Sequence, residues 1–172
     1  MAFTYRIESA NEIHRDPGGH YHHWTILSGD LLDGTMLRGE YMLIPANDGR
    51  VMVARMLDFF RRPFKIQGAE VSADSDDRHL AVVTWHPVPR EEQILSDSIA
   101  TLCPRETYDR VVLETLERDP VSYLHCTDCM PDIHDIPEAR LIIQRLQTHP
   151  DPRVARMAKF WTDYWQRQNP DR

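Results

Sequence analysis

The chain has 172 residues, with 20 Lys and Arg against 27 Asp and Glu, for a formal net charge of −7. Residues 1–99 hold 10 basic against 15 acidic side chains and residues 100–172 hold 10 against 12, so neither half offers the net positive charge that phosphate neutralisation rewards. No apolar run approaches the ~18 residues of a helical membrane span, the first residues lack the apolar core of a signal peptide, and three cysteines favour reduced thiols or a metal over a disulfide framework.

A cytoplasmic protein of two compact units is therefore expected. Phe3, Tyr5 and Ile7 alternate with Thr4, Arg6 and Glu8, the period-two pattern of a strand with one apolar face. Residues 11–23 contain Pro17-Gly18-Gly19 and read as a loop, and His22 to Leu27 reads as a second strand. Gly34 and Gly39 then bracket the short piece Thr35 to Arg38. Tyr41 to Ile44 has strand periodicity and ends at Pro45, Asn47-Asp48-Gly49 forms a hairpin turn, and Val51, Val53 and Met56 resume the strand on the other side. Ala73 to Arg78 reads as a solvated acidic turn. Leu80 to Trp85, rich in β-branched residues, reads as a strand buried on both faces, and a last strand is expected within Gln93 to Ala100.

Two segments, Gly29-Asp30-Leu31-Leu32-Asp33-Gly34 and Arg38-Gly39-Glu40-Tyr41-Met42-Leu43-Ile44-Pro45, follow one another in an order that resembles the second domain of translational GTPases of the elongation factor Tu type. The likeness continues from Phe64 to Ile99, through Ala69-Glu70-Val71 and the run from Leu80, and covers residues 3–100. It implies a small closed antiparallel β-barrel. In those GTPases the barrel helps to bind the aminoacyl end of tRNA and the partner domains, which implies a link to RNA or translation. The phosphate loop G-x-x-x-x-G-K-(S/T) is absent from this sequence, so GTP hydrolysis is not implied.

After Gly68 the chain contains no glycine, and from Cys103 the period changes to that of helices. Pro104 suits a first turn, Tyr108, Val112 and Leu116 follow three to four apart, and Asp119-Pro120 stops the helix. Asp135, Pro137 and Glu138 read as a capping-box variant opening a helix with Ala139, Ile142, Ile143 and Leu146 on one stripe. His149-Pro150-Asp151-Pro152 breaks it and opens another, whose apolar face carries Val154, Met157, Ala158, Trp161 and Trp165. This pair looks like a single HEAT unit. The fold class expected is α+β: a translation-protein-like barrel over residues 1–100 and a helical cap over residues 101–172.

Cys126 and Cys129, two residues apart, and His134 follow the C-x2-C-x4-H spacing of a zinc knuckle, with Cys103 a candidate for the missing fourth ligand. A structural zinc, a redox C-x-x-C, which Met130-Pro131 disfavours by arguing for a turn rather than a helix start, and an ordinary loop bearing two free thiols are the alternatives. His20, His22 and His23 form a second candidate metal cluster. Arg55, Arg61, Arg62 and Lys65 are the densest candidates for an RNA-binding face. The function expected is a non-catalytic binding module acting through protein contacts, linked by resemblance to RNA or translation. The alternative is a metal-dependent enzyme using the histidine cluster and the C-x-x-C loop together.

Overall fold

The computed structural model describes residues 2–15, 21–61, 64–85, 94–124 and 130–168. Eight strands come first: β1 (Phe3–Arg15), β2 (Tyr21–Leu37), β3 (Tyr41–Pro45), β4 (Val51–Arg61), β5 (Phe64–Lys65), β6 (Glu70–Ser72), β7 (His79–Trp85) and β8 (Ser98–Leu102). Five helices follow: α1 (Arg105–Arg118), α2 (Pro120–Leu124), α3 (Met130–His134), α4 (Pro137–Leu146) and α5 (Pro152–Gln168). Two compact units result, residues 1–108 and 109–172, with the division inside α1.

Six strands pair antiparallel in the order β1-β8-β3-β4-β7-β2, and β2 pairs back onto β1. This return pairing closes the sheet into a barrel and removes the free edges that an open sheet would expose. The remaining two strands are appendages, β5 on β4 and β6 on the end of β2. Alternation fills the barrel: Phe3, Tyr5 and Ile7 from β1, Met42 and Ile44 from β3, Ala54 and Met56 from β4, and Leu80 and Val82 from β7 all belong to one buried cluster. Leu80 to Thr84 are buried without interruption, as expected of a strand covered on both faces. Tyr5 is fully buried, and its hydroxyl lies 2.9 Å from both Leu27 O and Leu80 O, linking β1 to β2 and β7 inside the barrel. Burial, reinforced by the charges of Asp30 and Glu8, pushes the Tyr5 hydroxyl well above the usual phenol range.

The first hairpin departs from the sequence expectation. Residues 11–15 and 21–23 continue β1 and β2 instead of forming a loop, because the two strands pair along their whole length, from Phe3↔Gly34 to Arg15↔Tyr21. His22 to Leu27 and Gly29 to Gly34 are likewise one strand, curved by register shifts between Thr4 and Tyr5 and between Ile7 and Ser9. The last strand begins later than expected, at Ser98, after a turn in which Asp97 takes a φ of 61°. The β3–β4 hairpin is as read, with Gly49 at a φ of 80°.

In the helical unit α4 packs on α5 and on α3, and α2 packs on α5. Ala139, Ile142 and Ile143 of α4 and Val154, Ala158 and Trp161 of α5 are buried, the stripes that the spacing indicated. The Trp161 indole N–H donates to Leu124 O at 2.9 Å, so a buried polar group is satisfied by the end of α2. The expected capping box at Asp135 does not form. The N-cap of α4 is Ile136, with no side-chain cap, and Pro137 occupies the first turn, where its missing N–H has no cost. No helix among the described residues is long and apolar enough to cross a membrane.

Candidate functional site: a polar network and hollow at the β1 bulge

The site begins with a break in the alternation of β1. Ile7 pairs with Gly29 and Ser9 with Ser28, which leaves Glu8 as the extra residue of a bulge. The consequence is that Glu8 and Ser9, adjacent in sequence, are both exposed, while Ile7 remains in the core. Gly29 permits the bulge, since a Cβ there would stand 1.9 Å from the Arg6 carbonyl oxygen.

Register then aligns three charged groups across three strands. Arg6 pairs with Asp30, and Asp30 pairs with His79, so the side chains form a row on the outer surface. The Arg6 guanidinium makes an ion pair with Asp30 and lies 3.7 Å from Glu8, and His79 Nδ1–H donates to Asp30 Oδ1 at 2.8 Å. Glu8, Asp30 and His79 bring potential ligand atoms within 4.8 Å of one another, the geometry a divalent ion needs. The Arg6 guanidinium, however, already sits between the two carboxylates, and its charge opposes a cation there. The His79 hydrogen bond, with the Arg6 guanidinium added, holds the Asp30 carboxyl below the usual carboxylate range against the opposing effect of burial.

Beside this network lies an open hollow of about 320 Å³. Glu8 and Ser9 of β1, Ser28 of β2, Phe60 and Arg61 of β4, and His79, Leu80 and Ala81 of β7 line it. Its lining includes the Glu8 carboxylate, the His79 imidazole and the Arg61 guanidinium, and Phe60, Leu80 and Ala81 supply apolar surface. Ser28 Oγ is buried and has no hydrogen-bond partner among the described residues. Such a hollow suits a small group bearing both polar and apolar surface.

The residues singled out in the sequence fall elsewhere or beyond the described chain. Cys126, Cys129 and His20 lie outside the described residues, as does Arg62, and the side chains of His22 and His23 do too. His134 closes α3, where its ring packs on Trp165 with centroids 4.7 Å apart. Cys103 is buried in the barrel unit, and its thiol donates to Pro104 O at 3.4 Å. Arg55 is a half-buried residue of β4 opposite Tyr41. Arg61 pairs with Asp77 at 3.1 Å, and Lys65 pairs with Asp58, which also binds Arg38 at 2.8 Å. The basic patch is thus interleaved with acids contributed by β4 and by the turn before β7. Glu8, Ser9, Asp30 and His79 went unmarked in the sequence. The one available signal was the pair of consecutive polar residues, Glu8-Ser9, interrupting an alternating strand.

No protein-family model and no curated protein matches this chain. Among solved structures it is similar to the elongation factor SelB of Methanococcus maripaludis in its apo form, at 16% identity and a TM-score of 0.43, over 59% of this chain and 19% of that one. The GTPase-like domain of Saccharomyces cerevisiae Ski7, bound to GDP and inorganic phosphate, is similar at 9% identity and a TM-score of 0.45, over 60% and 23% of the respective chains. GDP-bound aIF5B of Aeropyrum pernix is similar at 15% identity and a TM-score of 0.42, over 89% and 22%. The chain therefore spans less than a quarter of the length of each of these proteins. The closed antiparallel barrel and the helical C-terminal region expected from the sequence are both present.

Proposed function

We propose that this chain is a non-catalytic binding module acting through protein contacts, and that the hollow at the β1 bulge receives a polar side chain of its partner. The observation that carries this reading is the bulge itself. It turns two consecutive polar residues outward beside the ordered row of Arg6, Asp30 and His79, next to an apolar floor. The hydrogen bond to Asp30 orients His79, and the Arg6 guanidinium lies 3.7 Å from Glu8, so part of the ordering is done before binding. The sequence resemblance directs the search for the partner to components of translation, with RNA as the second class.

Site-specific photo-crosslinking tests the proposal. A benzophenone amino acid placed at Ser9, in the hollow, is compared with the same probe at Asp48, in the β3–β4 turn. A discrete protein adduct at position 9, absent at 48 and lost on His79→Ala, is the expected result. An RNA adduct at position 9 would assign the hollow to nucleic acid, and equal labelling at both positions would overturn it as a site.

A further inference from the structure

The helical unit carries a second surface, independent of the barrel hollow and of the reading given to it. Along α5, Arg153, Arg156, Phe160, Tyr164 and Arg167 fall within an arc of about 80° at 3.6 residues per turn. The buried stripe of Val154, Ala158 and Trp161 is centred about 125° further round the helix, with Trp161 at its near edge. Phe160 and Tyr164 are 54% and 40% exposed, so two aromatic rings stand in solvent beside the buried stripe, where an amphipathic helix ordinarily begins to place polar residues. Their rings stack with centroids 6.3 Å apart, and each also meets the buried Trp161 edge-on, at 5.2 and 5.7 Å. Trp161 is itself pinned to Leu124, so the exposed pair rests on a fixed base. On the neighbouring α4, Leu141 is 62% exposed.

The charge around these rings is opposite to that of the chain. α5 holds four basic residues and one acid, Asp163, within a protein of net charge −7. Arg153 is committed to Asp151 at 3.0 Å. Arg156 and Arg167 instead donate their Nε–H groups to backbone carbonyls of α5 itself, at Pro152 and Asp163, and neither guanidinium has an ion-pair partner among the described residues.

We propose that this face docks an acidic segment of a partner protein, whose apolar side chains cover Phe160 and Tyr164 while its carboxylates meet Arg156 and Arg167. Aromatic and arginine side chains held rigid at the centre of a patch are the groups that concentrate binding energy at interfaces. A peptide fits better than RNA. The two rings lean on each other rather than standing apart for bases to insert.

The test is selection of a random 16-residue peptide display library on the full chain, with counter-selection on a Phe160→Ser, Tyr164→Ser variant whose thermal melt confirms the fold. Peptides retained by the native chain and rejected by the variant are expected to combine net negative charge with apolar residues. Their affinity, read by fluorescence anisotropy, should fall about tenfold or more in Arg156→Glu, Arg167→Glu and weaken as salt rises. A discriminating pool without acidic bias, or no discriminating peptides at all, would overturn the proposal. Tighter binding of poly(U) RNA that the same substitutions abolish, or self-association that they abolish, would equally overturn it, by assigning the face to nucleic acid or to a second copy.

Discussion

Replacing Gly29 by alanine tests the geometry on which the barrel site depends. The Cβ would lie 1.9 Å from Arg6 O and 2.9 Å from Arg6 C, against a limit of 3.0 Å below which real Cβ contacts essentially never occur. The obstruction is backbone, so relief requires β1 and β2 to separate by at least about 1 Å, at a bulge that packs Ile7 into the core. Overpacking that forces backbone shifts costs about 1–3 kcal/mol, and an obstruction that no rotamer change can clear belongs at or above the top of that range. Gly49→Ala is the matched control. Nothing lies within 4 Å of its Cβ, but its φ of +80° places alanine in the left-handed region, at about 1–2 kcal/mol. Urea unfolding gives the total loss, and hydrogen exchange by mass spectrometry locates it. Gly29→Ala should lower the denaturation midpoint more than Gly49→Ala and speed exchange in β1 and β2 while leaving α4 and α5 unchanged. A Gly29→Ala protein as stable as the native chain, or less affected than Gly49→Ala, would show that the strands do not approach as described and would remove the bulge as the origin of the site.

Tyr5→Phe leaves Leu27 O and Leu80 O without the buried hydroxyl that reaches both, and should cost about 1–2 kcal/mol, or a few degrees in Tm, with no change of fold by circular dichroism. His79→Ala removes the largest contribution to the lowered Asp30 pKa, so carboxyl NMR should show Asp30 titrating at higher pH than in the native chain; no movement would refute the network. The Asp151 carboxyl, held by the Arg153 side chain and then its backbone N–H, is lowered to about 2. Its folded pKa lies below the unfolded one, so its contribution to stability is complete above the usual carboxylate range and is lost as pH falls through about 2. Arg153→Ala should return Asp151 toward the usual range in the same NMR titration. For the cysteine loop, metal analysis decides between the expected alternatives: about one zinc per chain, absent from Cys126→Ser, Cys129→Ser, would establish a structural site whose fourth ligand is then sought, and no metal in the native chain would leave ordinary thiols.

Local rules accounted for a large part of this molecule. Period-two alternation placed the start of β1 and β3, Asp48-Gly49 placed the turn from β3 to β4, a β-branched apolar run placed β7, and proline positions with 3.6-residue spacing placed α1, α4 and α5, because each of these signals acts within a few residues. The glycines and apolar positions of residues 29–45 also carried the resemblance that indicated a barrel. Tertiary pairing decided the rest. Residues 11–15 and 21–23 became strand because each lies opposite the other, and the β1–β2 return that closes the barrel joins residues up to 31 positions apart. The candidate site was illegible for the same reason. Arg6, Asp30 and His79 are separated by 24 and 49 residues, and only strand register aligns them. Likewise, helical spacing put Phe160 and Tyr164 on one side of α5, but only the packing of Trp161 beneath them established that this side faces solvent. A sequence specifies the period of each element directly, whereas which elements meet, and in what register, is fixed by burying all their apolar faces at once.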